Sequence, residues 1–495
     1  MMSILTLASL LDPSNRASSV SIPLPSVRRS PDGGPHHRTS VTEGRRHHDL
    51  TDHDDMYDLN QNVKAEEIGT KMSDFMAELF PFCRSITGDG IRETLRRIGD
   101  RIPLDMHEVP SGTRVFDWTV PKEWNIRQAY VDDPSGRRVV DFRDHNLHVV
   151  GYSTPIEARM PLSQLKEHVH TLPEQPHLIP YRTSYYAEGW GFCMEEERLT
   201  QLPEGEYEVR IDSSLEPGDL TYAECYLAGE TDDEILISCH CCHPSMANDN
   251  LSGIALATQL ADHLRGRRLR YSYRFLFVPG TIGSITWLAH NEQQVKRVKA
   301  GLVAACVGDP GDPTYKRSRQ GDALIDRAAT HVLKHSGERH RIIDFSPYGY
   351  DERQYCSPGF DLAVGSLTRT PHNEYPEYHT SADDLGFVRP EYLADSFGLY
   401  LSILDVLEND ESYVNLLPKG EPQLGRRGLY PTVGGQGVGD ELMARLWVLN
   451  LSDGRHSLLD VADRSDLSFS DIKEAARVLS ESGVLAKAPQ GGTTP

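Results

Sequence analysis

Residues 234–264 read "EILISCHCCHPSMANDNLSGIALATQLADHL" and contain the features that decide the fold. The segment opens with a short apolar run, which is typical of a buried strand, and closes with leucines at helical spacing. Between these two parts lie His240, His243 and Asp249. In an open α/β sheet, ligands bind outside the carboxyl ends of the strands. The segment therefore predicts a strand that delivers polar side chains to the edge of such a sheet.

The following sequence continues the same alternation of strand and helix. "YSYRFLFVPG" (271–280) predicts a strand, "SITWLAHNEQQVKRV" (284–298) a helix, and "AGLVAACVGD" (300–309) another buried strand. Strands that alternate with helices are typical of a largely parallel sheet covered by helices. The predicted fold class is therefore α/β.

Changes in composition divide the chain into several regions. A polar, Pro-rich stretch predicts disorder at the N-terminus, and short alternating segments predict a β-rich insertion within the α/β domain. A Gly- and Pro-rich stretch predicts a linker, and three short helices with a small apolar end predict a winged helix. The predicted boundaries are a tail at 1–65, an α/β domain at 66–104 and 216–412, an insertion at 105–215, a linker at 413–435, a winged helix at 436–488 and a tail at 489–495.

The overall charge and hydropathy exclude several classes of partner. A net charge of -22 repels nucleic acid and anionic lipid, and no apolar run is long enough to span a membrane. The opening residues lack the features of a secretory signal, so we expect a cytoplasmic protein. The predicted recognition segment of the winged helix, residues 468–483, carries acidic residues among its basic ones. It favours packing or a possible homodimer over DNA binding.

The two histidines and the aspartate after the first strand predict a metal site. Imidazole and carboxylate ligands suit zinc. A structural zinc site built from cysteines is the alternative, but Cys239, Cys241 and Cys242 do not have the CxxC spacing that such sites use. We expect these thiols to be reduced and to pack as small buried hydrophobic groups.

More distant residues provide candidates for the remaining ligands. Asp309 ends a predicted buried strand, so it should reach the same edge of the sheet. His379 lies in the polar loop "NEYPEYHTSADDLGF", with Glu374 and Glu377 nearby. The predicted metal ligands are His240 and/or His243, together with Asp249, Asp309 and His379.

Several long motifs resemble one family. They are "FPFCRSITGDGIRETL", "YYAEGWGFC", "HPSMANDNLSG", "PYGYDERQYCSPGF" and "EYPEYHTSADDL". They resemble bacterial aminopeptidase-like proteins that end in a winged helix and often lie beside polysaccharide or specialised-metabolite genes. That family is similar to the zinc aminopeptidases of the leucyl aminopeptidase and aminopeptidase Y type and, more distantly, to glutaminyl cyclase. The resemblance implies a zinc-exopeptidase-like mixed sheet flanked by helices, and one or two zinc ions held by His240 or His243, Asp249 and His379.

The sequence departs from the zinc aminopeptidases at one position. Those enzymes have glutamates after the second core strand that are expected to activate water and hold metal, whereas this chain has Gly280. A glycine cannot accept a proton, so the activation of water would depend on the metal alone or on another carboxylate. The candidates are Glu377, with Glu374 as an alternative, and Asp351.

Several further residues are candidates for binding the substrate. Asp351 and Glu352 could bind a free amino group, and Tyr186 and Trp190 could form a wall of the pocket, together with Tyr185. The predicted function is metal-dependent hydrolysis of an amide in a small amino-acyl or peptide-like intermediate. Acyl transfer, cyclisation or elimination on the same fold is one alternative, because of Gly280, and a catalytically silent scaffold is another.

Overall fold

The structure is a computed structural model that describes residues 56–61, 63–430 and 439–489. The predictions for residues 1–55 and 490–495 lie outside the described residues. The last part of the predicted N-terminal tail is folded, because Leu59 is buried and the backbone N–H of Tyr57 donates to Oδ1 of Asn409 at 3.0 Å. The described residues include no helix that is long and apolar enough to cross a membrane.

The helices and strands of the described residues are numbered in chain order. The helices are α1 (Ala65–Leu79), α2 (Asp89–Gly99), α3 (Leu162–Leu165), α4 (Glu196–Thr200), α5 (Gly253–Leu264), α6 (Ile282–His290), α7 (Leu324–His335), α8 (Glu352–Tyr355), α9 (Pro390–Asn409), α10 (Asp440–Leu451), α11 (Leu458–Ser465) and α12 (Phe469–Glu481). The strands are β1 (Asp105–Pro110), β2 (Arg114–Val115), β3 (Trp118–Thr119), β4 (Glu123–Asp132), β5 (Arg138–Asp141), β6 (Ile156–Pro161), β7 (Val169–His170), β8 (Phe192–Cys193), β9 (Glu206–Glu216), β10 (Asp219–Leu227), β11 (Glu234–His240), β12 (Ser272–Val278), β13 (Val298–Ala304), β14 (Thr314–Lys316), β15 (Arg341–Ile343), β16 (Val364–Thr368), β17 (Ser412–Asn415), β18 (Asp453–Ser457) and β19 (Leu485–Lys487).

The main sheet confirms the predicted α/β fold. Among the described residues it has eight strands, in the order β1-β10-β12-β11-β13-β16-β14-β15. The four central strands, β12, β11, β13 and β16, are parallel, and antiparallel pairs occur on both sides of them. The sheet is therefore mixed, and its parallel centre aligns the carboxyl ends of its strands at one edge.

Strand β11 is buried on both faces of this sheet. Ile235, Ile237 and Cys239 belong to the hydrophobic core that contains α1, α5 and α9, whereas Leu236 belongs to the core on the other face with α6. Continuous apolar sequence is typical of a strand that is covered on both sides. The cysteines after this strand are also buried and free, as predicted.

The β-rich insertion has a sheet and a core of its own. Its four antiparallel strands are ordered β5-β4-β9-β6, and its core includes Phe192, Tyr207 and Val209. The predicted boundary between the α/β domain and the insertion, at residue 105, differs from the structure, because β1 pairs with β10 in the main sheet. The first strand after the helices therefore belongs to the α/β domain, and the insertion begins after residue 110.

The C-terminal winged helix also begins earlier than predicted. Strand β17 lies in the predicted linker, yet it pairs with both β18 and β19. Helix α12 contacts the α/β domain, where Nζ of Lys473 lies 2.8 Å from Oδ1 of Asp405. A guanidinium nitrogen of Arg327 on α7 donates to Oδ1 of Asp460 on α11 at 2.8 Å. The winged helix is thus joined to the α/β domain by ion pairs between helices.

Candidate metal centre

His240 lies at the carboxyl end of the central strand β11, as the sequence predicts. It pairs in register with Val278 of β12, and its side chain is 3% exposed. His243 follows in the loop after the strand. The sheet therefore fixes the first imidazole through the backbone of a fully buried strand.

Asp249 lies in a loop that is held by hydrogen bonds from two sides. The carboxylate of Asp383 accepts the backbone N–H groups of Asn248 at 2.5 Å and Asp249 at 3.0 Å. The side-chain amide of Asn250 donates to the carbonyl oxygens of Ala304 at 3.0 Å and His240 at 3.1 Å. These bonds connect the loop to the ends of two core strands and position the Asp249 side chain.

Three imidazoles surround the carboxylate of Asp249. Nε2 of His240 lies 2.8 Å from Oδ1, Nε2 of His379 lies 3.1 Å from Oδ2, and Nε2 of His243 lies 3.9 Å from Oδ2. One ligand atom from each of His240, His243 and Asp249 lies within 4.8 Å of the other two. The structure thus brings four of the five predicted ligands together, although His379 is 130 residues from Asp249.

The charge states of Asp249 and His243 suit a metal ion. Burial would raise the pKa of Asp249, but the neighbouring imidazoles hold it well below its usual range. Burial lowers the pKa of His243 to about 3, so this imidazole is neutral at pH 7. An ionised carboxylate and a neutral imidazole are the forms that bind metal. The donor set is therefore consistent with a divalent ion.

Asp309 does not join this cluster, which corrects the prediction. Its Oδ1 accepts the backbone N–H of Gly311 at 2.8 Å, and its Oδ2 accepts the side-chain amide of Asn248 at 3.0 Å. Thr370 donates to the same carboxylate through its backbone N–H and its hydroxyl. Both oxygens are thus occupied, and Asp309 supports the Asp249 loop through Asn248 instead.

The position of Gly280 is directly beside the cluster. A Cβ atom added there would lie 3.0 Å from Cβ of His240 and 3.7 Å from Oδ2 of Asp351. Oδ1 of Asp351 accepts a hydrogen bond from the Ser284 hydroxyl at 2.8 Å, but Oδ2 is buried without a hydrogen-bond partner among the described residues. Burial raises the pKa of Asp351 to about 6. A carboxylate from another segment therefore lies beside Gly280.

The other acidic candidates differ in their surroundings. Glu352 is buried, and its Oε1 lies 2.9 Å from Nζ of Lys316, so its charge already has a partner. Glu374 is exposed and forms an ion pair with Arg341 at 2.6 Å, so it is not available as a base in the site. Glu377 is half-buried, and its carboxylate makes no hydrogen bond or ion pair in the described part of the chain.

The insertion contributes a residue that the sequence did not indicate. Tyr181 is buried, and its ring centroid lies 5.1 Å from that of His243 and 5.0 Å from that of His379. Its backbone N–H donates to the carbonyl oxygen of His379 at 2.9 Å, and its hydroxyl lies 2.7 Å from that of Tyr185. Tyr181 thus packs between two candidate ligands from outside the α/β domain. A lone tyrosine in a Pro-rich stretch gives no sequence signal for this role.

The two aromatic candidates for the pocket wall have different positions. The Trp190 ring stacks on His168 with centroids 3.7 Å apart and packs into the core of the insertion, which corrects its predicted role. The Tyr186 ring is exposed and lies 5.4 Å from that of Trp118. Aromatic residues of a small β-rich region often pack into its own core.

Asp383, like Tyr181, is a site residue that the sequence did not indicate. It holds the Asp249 loop through the backbone N–H groups of Asn248 and Asp249.

Comparison with known proteins places this architecture in a family. A family model described as "Domain of unknown function (DUF4910)" matches residues 73–410. The chain belongs to this family. A winged helix-turn-helix model matches residues 411–487, which agrees with the start of β17.

A relative from Clostridium acetobutylicum matches most of this chain. It is named "Putative polysaccharide biosynthesis protein with aminopeptidase-like domain" and is 51% identical over 426 residues, which are 86% of this chain and 98% of the relative. A crystal structure of a "putative peptidase" from the same organism has a TM-score of 0.82 at 50% identity and covers 86% of this chain and 97% of that chain. The resemblance to aminopeptidase-like proteins with a C-terminal winged helix is thereby confirmed.

A more distant structure shares the fold alone. A zinc aminopeptidase from Bacillus subtilis has a TM-score of 0.52 at 12% identity and covers 69% of this chain and 94% of that chain. The predicted zinc-exopeptidase-like fold is therefore confirmed.

Proposed function

We propose that this protein is a metal-dependent amide hydrolase that acts on a small amino-acyl or peptide-like substrate. The observation that carries the proposal is the convergence of three imidazoles on the buried carboxylate of Asp249. The aminopeptidase fold and the peptidase-like name of the Clostridium acetobutylicum structure support this reaction class.

The side chains of the cluster are of the types that bind metal, and neighbouring groups hold them in position. His240, His243, Asp249 and His379 would hold the ion. A divalent ion bound there would polarise an amide carbonyl and lower the pKa of water. Carboxylates and carbonyls that orient the ligands are part of such sites, and Asp383 acts in this way on the Asp249 loop.

Asp351 is positioned to move the proton in this reaction. As water attacks the amide carbon, Oδ2 of Asp351 accepts a proton from it, and a C–O bond forms. Oδ2 then returns the proton to the amide nitrogen as the C–N bond breaks. The Ser284 hydroxyl orients the other oxygen of this carboxylate, and a pKa of about 6 suits a proton acceptor near neutral pH. Glu377 is the second candidate for this role.

The first experiment measures metal content and hydrolysis together. The purified protein is analysed for divalent metal and assayed on a panel of amino-acyl 4-nitroanilides, before and after removal and return of the metal. We expect hydrolysis that is lost with the metal and restored with it. A metal-loaded protein that hydrolyses no member of the panel would contradict the proposal.

A variant of Asp351 tests its role. Asp351→Asn should lower kcat by about 10²- to 10⁴-fold, the usual contribution of general-base catalysis, while the metal content stays unchanged. Glu377→Gln is the matched comparison, and a larger loss of kcat in that variant would transfer the role to Glu377.

A non-hydrolytic reaction on the same fold is the second candidate. Gly280 favours it, because the carboxylate that zinc aminopeptidases place after this strand is absent. Acyl transfer, cyclisation or elimination gives products without an added water. Mass spectrometry of the products of an amino-acyl amide in ¹⁸O-labelled water distinguishes the two candidates, since only hydrolysis incorporates the label.

A further inference from the structure

We infer that the candidate metal centre binds a single divalent ion through three imidazoles and one carboxylate. The ligands are His240, His243, His379 and Asp249. This inference rests on the metal dependence in the proposed function. It adds the number of ions that the site binds and the metals that its ligand set selects.

A second ion beside the first would need additional carboxylates. Two-metal hydrolytic sites hold their ions about 3.5–4 Å apart, with ligands on both sides. The three residues that follow β12 are Pro279, Gly280 and Thr281, and none of them has a carboxylate. The segment that follows β12 therefore contributes no anionic ligand.

Asp309 cannot provide the missing carboxylate without breaking existing contacts. It is 1% exposed, and it accepts hydrogen bonds from Gly311, Asn248 and Thr370 through both of its oxygens. A metal ligand at this position would lose the bond that supports Asn248 beside Asp249. A buried donor that loses its acceptor costs about 1–3 kcal/mol.

Two other buried acids near the cluster each have one oxygen bound by another side chain. Oδ1 of Asp351 accepts the Ser284 hydroxyl, and Oε1 of Glu352 pairs with Nζ of Lys316. The other oxygen of Asp351, Oδ2, is the proton acceptor of the proposed reaction and not a metal ligand. In the described residues, His240, His243 and Asp249 form one group whose ligand atoms lie close enough to share an ion, and Nε2 of His379 lies 3.1 Å from Oδ2 of Asp249. The donors therefore support one position for an ion rather than two.

His243 is placed to complete that position. Its ring centroid lies 4.8 Å from that of His240 and 5.3 Å from that of His379, so it lies beside both other imidazoles. Its Nδ1 lies 3.5 Å from Sγ of Cys242, which leaves Nε2 directed toward Asp249. The side chain of Arg84 is buried, and its Nε donates to the carbonyl oxygen of His243 at 2.9 Å. The bond from Arg84 fixes the backbone of His243, and the contact with Cys242 fixes Nδ1 of its ring.

A set of three imidazoles and one carboxylate selects among metals. Imidazole suits zinc, copper, iron and nickel, whereas magnesium, calcium and manganese prefer oxygen ligands. We therefore expect the full-length protein to bind Zn²⁺ and Co²⁺ well and Mg²⁺ poorly.

The test is the stoichiometry and affinity of metal binding to the full-length protein. After removal of metal with a chelator, Zn²⁺ is added back and measured by isothermal titration calorimetry and by elemental analysis of the dialysed protein. We expect binding that saturates at one ion per chain. Saturation at two ions per chain would overturn the inference.

Variants of His243 and Asp309 separate the ligand from the supporting residue. His243→Gln should weaken Zn²⁺ binding by at least about 10-fold, the loss expected even for residues that only orient ligands. It should also change the visible absorption spectrum of the Co²⁺-loaded protein. His340→Gln, a change at a partly exposed histidine, is the control. Unchanged Zn²⁺ affinity and an unchanged Co²⁺ spectrum in His243→Gln would also overturn the inference.

Asp309→Asn should leave the stoichiometry at one ion per chain, and circular dichroism shows whether this variant and His243→Gln are folded. If either variant unfolds, the stoichiometry and the Co²⁺ spectrum of the unsubstituted protein still decide the inference. None of these measurements needs turnover. One ion per chain without hydrolysis of any amide would contradict the proposed function and leave the single-ion inference standing.

Discussion

His240 and His379 approach the same carboxylate from two parts of the molecule that are built differently. His240 ends a strand that is paired on both sides and buried on both faces. His379 lies in a loop, has a φ of +56° and has a side chain that is 31% exposed. The main sheet alone thus fixes the half of the site that contains His240. The half that contains His379 requires support from outside the sheet.

That support comes from the insertion. The backbone N–H of Tyr181 donates to the carbonyl oxygen of His379 at 2.9 Å, and the backbone N–H of Ser381 donates to the carbonyl oxygen of Ile179 at 2.9 Å. The Ser381 hydroxyl accepts the backbone N–H of Ile179 at 3.0 Å. Each such bond contributes about 0.5–1.5 kcal/mol. The comparison shows that the insertion is part of the site and not only an addition to the fold.

The largest effect is expected from the carboxylate that both halves share. Asp249→Asn removes the negative charge that all three imidazoles face, so we expect loss of Zn²⁺ binding and of any metal-dependent activity. Metal analysis of the purified variant measures this. Asp344→Asn, at an exposed carboxylate, is the matched control. Retention of Zn²⁺ at the unsubstituted level would contradict the shared role of Asp249.

A change at Tyr181 tests the half that depends on the insertion. Tyr181→Ala removes a buried ring that packs on His243 and His379, and large-to-small changes of aromatic residues in cores cost about 3–5 kcal/mol. We expect weaker Zn²⁺ binding and a lower melting temperature, measured by calorimetry. Tyr181→Phe keeps the ring and loses only the hydroxyl contact with Tyr185, so it should retain most of the affinity. Equal losses in both variants would assign the effect to the hydroxyl.

Asp383 tests how the loop of the shared carboxylate, Asp249, is held in place. An asparagine at this position has one acceptor oxygen and a donor amide, so Asp383→Asn cannot accept both backbone N–H groups of Asn248 and Asp249. The expected loss of stability is about 1–3 kcal/mol, the cost of an unsatisfied buried donor. Denaturant unfolding measures it. A parallel loss of Zn²⁺ affinity would show that the position of the loop, and not only the charge of Asp249, matters for binding.

The smallest effect is expected from a single bond of the insertion contact. Ser381→Ala removes the acceptor of the Ile179 N–H and should cost about 0.5–1.5 kcal/mol. Faster amide hydrogen exchange at residues 175–181, with unchanged exchange in β11, would localise the effect to the insertion-supported half. Equal acceleration in both regions would mean that the two halves are not independent.

The sequence could predict the half of the site that contains His240, because the signals for that half lie within one short segment. The apolar run before His240 and the helical spacing after Asp249 specify a strand, a loop and a helix, and the carboxyl end of a parallel strand is where ligands lie. His379 gave only a weak signal, since a histidine in a polar loop has no periodicity around it, and the resemblance to a family supported its prediction as a ligand.

The errors share one physical cause. Asp309 was predicted as a ligand because it ends a buried strand, but the strand end does not reveal that Asn248, Gly311 and Thr370 occupy its oxygens. Trp190 was predicted as a pocket residue, but its stacking partner is His168. Which partner a side chain finds depends on the packing of distant segments, and periodicity does not encode it.

The sequence by itself determined the α/β class, the C-terminal winged helix and the polar groups at the end of β11, because burial and periodicity act within short segments. The tertiary structure alone decided that Tyr181 packs against two candidate ligands, that Asp383 holds the Asp249 loop and that Asp351 faces Gly280. These contacts join segments more than 60 residues apart, and only the folded sheet with its insertion brings them within bonding distance.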